Sequence, residues 1–348
     1  MGQATNYFPS QNVSVWFEKE DKVGRSQDDT VDNAGLTKLQ CTSFTIPEAS
    51  MPVEYSAPKS GQFVTTADQA HHSQGTKLWT FDTVLRGTPT SVLLAMEALF
   101  EDSTSSPRAL QNTYSFPTAS YKHDSTSSPN TYNIRFIDAG ADNTKHNVVC
   151  RGCIGTGFSL TEDIGSEGGE LVCTINWATG YVPDNVSAQA DDDITSAAYD
   201  TGTPKNIRSL ASGSTGINGG ALEELVISSW ELNVSRTIER IHYADNTDGG
   251  YEPFGYAMVG GFDITGSLTA IRNDDIHDLI DGGEFHNSTA VDINIQESSN
   301  FTVALDRCIL GESTIDNGGA VLTNTIPFTV VGDANVGSAS DVVSITIA

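Results

Sequence analysis

The chain has 348 residues, 38% of them hydrophobic, and 45 Asp plus Glu against 18 Lys plus Arg set its formal charge at −27. That balance excludes a surface that grips phosphates through counterion release, and no run of 18 apolar residues offers a membrane-spanning helix. The length points to two domains with ordinary cores, and the opening "MGQATNYFPSQNVSVWFEKE" lacks the basic-then-apolar layout of a secretory leader, so cytoplasmic synthesis is expected.

In chain order, residues 1–35 read as an N-terminal arm in which only "VSVWF" is strand-like. Such an arm is expected to add a strand to a neighbouring copy on assembly. A first unit, 36–183, opens with "LTKLQCTSFTI" and continues with "KLWTFDTVLRGT", the helical pattern "TSVLLAMEALFED", a Ser/Pro/Thr-rich loop at 102–130, "YNIRFIDAG" and "CIGTGFSLTEDIGSEGGELVCTINWATG". Residues 184–220 lack Phe, Trp and sustained periodicity and read as a linker. A second unit, 221–334, repeats the order with "LEELVISSWEL", "VGGFDITGSLTA", the helical "NDDIHDLIDGGEF", "VDINIQESS" and "CILGESTIDNGGAVLTNTIPFTVVGD". The tail 335–348 ends in a possible strand, "DVVSITI".

A chain that gives the same element order twice points to duplication, with Phe44 answering Trp230, Phe81-Asp82 answering Phe262-Asp263 and Cys153 answering Cys308. Within the units the strands alternate. Trp230, Leu232 and Val234 face one way against Glu231, Asn233 and Ser235, and Phe262, Ile264 and Leu268 oppose Asp263, Thr265, Ser267 and Thr269. One face is packed and the other wet, as in antiparallel sheets with a helix over part of the apolar side.

Catalytic patterns are weak by comparison. Cys150 and Cys153 form a C-x-x-C pair with Cys41, Cys173 and His146 as further candidates, but no second pair completes a zinc site, and small buried hydrophobes explain these thiols better. His71-His72 sits in a polar stretch read as a loop, Gly155-Thr-Gly157 is too short for a phosphate cradle, "ADNTDGG" (244–250) lacks the acids of a calcium loop, and Asp191–Asp193 read as a solvated run. Forty-five acids guarantee that some lie close, so no carboxylate pair singles out a glycosidase. Trp16, Trp79, Trp177 and Trp230 fall at apolar strand positions that a core claims rather than a sugar site. No enzymatic activity, cofactor or metal is expected.

The strand and turn order of "SSWELNVSRTIERIHYADNTDGGYEPFGYAMVGGFDITGSLTA" and "LDRCILGESTIDNGGAVLTNTIPFTVVG" resembles that of the tail tube proteins of long-tailed, siphovirus-like phages and related viruses, and the first unit repeats it more weakly. The resemblance implies a mainly β fold of two tandem antiparallel β-sandwich or barrel domains, each with one short helix and a long hairpin. It implies a structural virion protein that self-assembles with other tail proteins into stacked rings. The viral double-stranded DNA passes through their lumen without specific binding. Two tube domains per chain imply three chains in a pseudo-six-fold ring, with a hexamer as the other count. Lumen-facing candidates on the polar strand faces are Asp82 and Asp263, with Glu231, Thr265 and Ser267 behind them. Carboxylates there would repel phosphates and let the duplex slide, although acid-rich composition also accompanies high-salt habitats. The alternatives are a tail-tip or surface β-sandwich that binds a host receptor through the 102–130 loop, and an acidic hydrolase.

Overall fold

The computed structural model describes residues 13–20, 23–24, 37–50, 53–55, 70–72, 77–99, 108–111, 130–138, 147–165, 167–186, 198–210, 215–217, 223–241, 255–282, 285, 290–297, 301–332 and 341–347. His146, Asp191–Asp193, residues 244–250 and most of the 102–130 loop lie outside them.

The first half contains β1 (Val13–Lys19), β2 (Thr37–Lys38), β3 (Cys41–Phe44), a separate hairpin of β4 (Val53–Tyr55) and β5 (Ala70–His72), β6 (Trp79–Arg86) and α1 (Pro89–Leu99). It continues through β7 (Arg108–Gln111), β8 (Tyr132–Asp138), β9 (Asn147–Asp163), β10 (Val172–Thr179) and β11 (Asp184–Val186). After β12 (Ala198–Tyr199), the second half runs through β13 (Gly216–Ile217), β14 (Glu223–Glu224), β15 (Ile227–Ile241), β16 (Gly255–Ile271) and α2 (Asp274–Gly282). It closes with β17 (Val291–Gln296), β18 (Phe301–Leu310), β19 (Thr314–Asp316), β20 (Thr323–Val330) and β21 (Asp341–Ile347). The fold is mainly β, and apart from the β4–β5 hairpin every strand joins one hydrogen-bonded network. His71 and His72, read as loop, lie on β5 opposite Glu54 and Val53.

Local chemistry sets the two helices. Thr88 Oγ1 accepts the Ser91 amide at 3.2 Å and Pro89 takes the first helical position of α1. Asn273 caps α2 by accepting the Ile276 amide at 3.1 Å, with Asp274 and Asp275 in the first turn, where the helix dipole favours acids.

The pairing of the first half recurs in the second, residue by residue. Phe44 lies opposite Thr83 as Trp230 lies opposite Leu268, and both pairings slip at the same place, between Cys41 and Ser43 and between Ile227 and Ser229. The cross-strand row Cys41, Leu85, Cys173, Leu160 matches the row Ile227, Ala270, Asn324, Ile315. On the second layer, Tyr132 opposite Cys153 and Ile134 opposite Cys150 match Val291 opposite Cys308 and Ile293 opposite Leu305, again with a bulge at the same step. The outer strands follow: Trp16 lies between Arg135 and Lys38 as Gly216 lies between Asn294 and Glu224. Even the backbone bend recurs, because Gly152 (φ 58°) and Arg307 (φ 60°) hold the matching left-handed positions in β9 and β18. One phrase of the sequence alignment shifts: the register puts Phe81 level with Gly266, four residues along from Phe262.

At those bends β9 and β18 change partners. The first part of β9 pairs with β8 and β11, and its later part with β10 and β15. The layers pack through aromatic contacts, Phe136 against Phe81 at 5.8 Å and Phe44 at 5.6 Å, and Trp177 against Tyr132 at 5.5 Å and Phe17 at 6.0 Å. The strand inside the expected arm is part of this wall. All seven residues of β1 pair with β8, and Val15, Trp16 and Phe17 are buried in the chain's own core. Segment 108–111 of the long loop crosses to the other half, where β7 pairs with β21.

Candidate functional site

Across β6, β10, β9, β15 and β16 the register lines up Asp82, Asn176, Gly157, Ser235 and Asp263 in one row. The next row runs Val84, Thr174, Ser159, Asn233, Thr265 and Thr329, and the third Arg86, Val172, Thr161, Glu231, Ser267 and Pro327. Directly opposed residues share a face, so Asp82, Asp263, Glu231, Thr265 and Ser267 all stand on the same side of one continuous sheet. Asp263 and Thr265 are exposed, while Asp82, Glu231 and Ser267 are half-buried.

This face is hydroxyl-, amide- and carboxylate-rich. Asp82 Oδ1 accepts from Thr45 Oγ1 at 2.6 Å and Glu231 Oε1 accepts from Asn233 Nδ2 at 2.6 Å. The guanidinium of Arg86 is engaged by Glu170, Nη2 donating to both carboxylate oxygens at 2.8 Å and Nε to Oε2 at 3.1 Å, so it offers little free positive charge. The opposite face carries Trp79, Phe81, Leu85, Ile175, Trp177, Phe158, Leu160, Trp230 and Leu232, all buried.

The two halves join at a seam where β9 and β15 run antiparallel from Asp163 opposite Ser229 to Gly157 opposite Ser235. Its central pair, Leu160 and Leu232, is fully buried. Beneath it Trp230 Nε1 donates to Glu162 Oε2 at 2.5 Å. Burial, reinforced by the nearby Glu297 and opposed by the indole bond, pushes the Glu162 carboxyl up to about 8. Arg236 on β15 reaches across to α1, donating to the carbonyls of Leu99 at 2.9 Å, Ala98 at 3.2 Å and Gly155 at 3.0 Å. A second buried acid, Glu20, accepts from the amides of Gly152 (2.7 Å) and Gly24 (2.9 Å) and from Thr131 Oγ1 (2.7 Å), yet burial still lifts it to about 7. Sequence reasoning missed Glu162, Glu20 and Arg236, because each acquires its role from partners far away along the chain.

The thiols sit in the core. Cys150, Cys153, Cys173 and Cys308 are free and buried, and burial raises Cys173 and Cys308 to about 12. Among the described residues no group of three His, Cys, Asp or Glu is arranged to hold a metal ion, and no helix is long and apolar enough to cross a membrane. A continuous face of polar side chains backed by a buried apolar face suits a wall.

A family model described as phage tail tube protein matches residues 42–330. Among curated proteins none matches the sequence.

Proposed function

The chain belongs to the phage tail tube protein family, structural components of the virion tail that self-assemble with other tail proteins, and from that premise we propose a non-enzymatic ring former with two tube domains per chain. Three chains then close a pseudo-six-fold ring, rings stack, and the polar face bearing Asp82, Asp263, Glu231, Thr265 and Ser267 lines the lumen. The observation that carries this reading is the recurrence of the same strand pairings, bulges included, in the two halves. A duplicated wall unit whose halves already sit edge to edge leaves one further joint of the same kind to make between chains. Carboxylates on the inner face repel DNA phosphates, so the duplex slides instead of sticking.

The test is electron microscopy of the purified chain over a concentration series, combined with Asp263→Cys labelled by maleimide-gold in a Cys41→Ser background. Six-lobed rings of three chains with gold along the tube axis are expected. Gold on the outer surface refutes the lumen assignment, six chains per six-lobed ring refute the double-domain count, and compact particles without a channel at any concentration refute the tube itself.

A further inference from the structure

We propose that the β9–β15 seam inside the chain is repeated between chains, with the outer edge of β18–β19 pairing antiparallel with β3 and the residues following it in a second copy, at a fixed register. The inference rests on the tube reading above and names its interface.

Every strand of the path β3, β6, β10, β9, β15, β16, β20, β18–β19 is paired on both sides except at its two ends. Among the described residues, β3 pairs only with β6, and Leu310 to Asp316 pair only with β20. The repeat identifies these ends. β3 corresponds to β15, since Phe44 matches Trp230, and β19 corresponds to the later part of β9, since Ile315 matches Leu160. Each free edge is therefore the counterpart of one partner in a seam the chain already makes.

Transferring the seam's register fixes the contacts. Leu160 opposite Leu232 becomes Ile315 opposite Ile46, and Thr161 opposite Glu231 becomes Asp316 opposite Thr45. Phe158 opposite Val234 becomes Ser313 opposite Glu48. The exposures agree: Leu160 and Leu232 are fully covered, whereas Ile46 is 38% and Ile315 57% exposed, two large apolar side chains left in solvent where the register brings them together. Thr45 with Asp316 keeps the threonine and carboxylate of the internal pair in exchanged places.

The backbone also complies. Ile164 donates to the Ser228 carbonyl at 3.0 Å, which makes 162 with 230 and 160 with 232 the bonded pairs of the seam and turns the Asn233 amide away from β9. Pro47 occupies the place of Asn233, so its missing N–H removes no bond from the joint. On the other side Thr45 donates its amide to Asp82, leaving the amides of Phe44, Ile46 and Glu48 pointing outward for the partner.

The test is Thr45→Cys with Asp316→Cys in the Cys41→Ser background. Their internal counterparts are a non-bonded antiparallel pair, whose Cα atoms lie about 4.5 Å apart, within the range a disulfide spans. Mild oxidation of rings should give covalent chain-to-chain products in high yield, while Thr45→Cys with Thr314→Cys, two residues out of register at about 7–8 Å, should give at least tenfold less. Rings seen by microscopy without that cross-link overturn the seam and leave the tube reading standing; absence of both rings and cross-links overturns the two together. Separately, Ile315→Glu should leave a folded monomer that forms no rings, and combining it with Ile46→Lys should restore them. Normal ring formation by Ile315→Glu alone sinks the proposal.

Discussion

Replacing Arg236 with Met tests whether the two halves are latched by a buried guanidinium. Its alternating neighbours Trp230, Leu232 and Val234 face the core, and Arg236 follows the same periodicity at 5% exposure. It is tolerated because its three donors meet the last carbonyls of α1 and the carbonyl of Gly155. A helix C-terminus leaves such carbonyls unsatisfied and carries partial negative charge, so the cation answers both deficits. Hydrogen bonds to charged groups contribute about 1.5–3 kcal/mol each, and they are not additive within one fork. Met keeps an apolar stem but loses the guanidinium that stands 5.9 Å over the Phe262 ring centroid and orphans the carbonyls. A loss of about 3–5 kcal/mol is expected. With a urea dependence of about 3 kcal/mol/M, the upper end for small proteins, the midpoint falls by about 1–1.7 M. Arg236→Lys, a point charge without the fork, should recover less than half. Urea titration followed by tryptophan fluorescence checks both variants, and a Met midpoint within about 0.3 M of wild type refutes the latch.

The Glu162 carboxyl, raised to about 8 when folded, is a buried acid near 4.5 in the unfolded chain. Its contribution is therefore fully present below pH 4.5 and is lost as pH climbs to 8, at roughly 1.4 kcal/mol per pH unit at most. Glu162→Gln should reduce the slope between pH 5 and 8 in urea titrations at each pH, leaving the share of Glu20 below pH 7, and an unchanged slope refutes the assignment. At the left-handed bends, Arg307→Gly should gain about 0.5–1 kcal/mol by relieving its φ of 60°. Gly152→Ala should destabilise strongly, since a Cβ there meets the Tyr181 ring at 2.4 Å. Calorimetric midpoints that move both variants the same way contradict the shared bend.

The alternation of β15 and β6 made the two faces legible, and the element order made the repeat legible, because both signals lie in consecutive residues. What the sequence hid depends on partners. The phrase Phe-Asp aligned Phe81 with Phe262, yet cross-strand pairing sets Phe81 level with Gly266 and brings Asp82 into one row with Asp263 instead of making them counterparts. A four-residue shift preserves the face of every side chain, which is why the polar face survived the misalignment. "VSVWF" read as an arm because its partner β8 lies more than a hundred residues on. Gly152 and Arg307 share a backbone conformation without sharing a residue type, so no letter announced the bend.

The internal seam and the proposed external one differ in a way that suits assembly. Inside the chain, the joint is locked by Trp230 with Glu162 and by Arg236 on α1. The same register carries those positions onto Phe44, Asn317 and Ser50, which lack the indole donor, the carboxylate and the cation. Strand pairing and two isoleucines remain, enough to align edges but without the buried polar contacts that hold the halves together permanently. Exposed sheet edges invite uncontrolled growth, and in the proposed register the exposed Ile46 meets the exposed Ile315, which favours a second copy as the partner. In the ring proposed here, each chain thus brings one seam already made and leaves one of the same kind to form when chains meet.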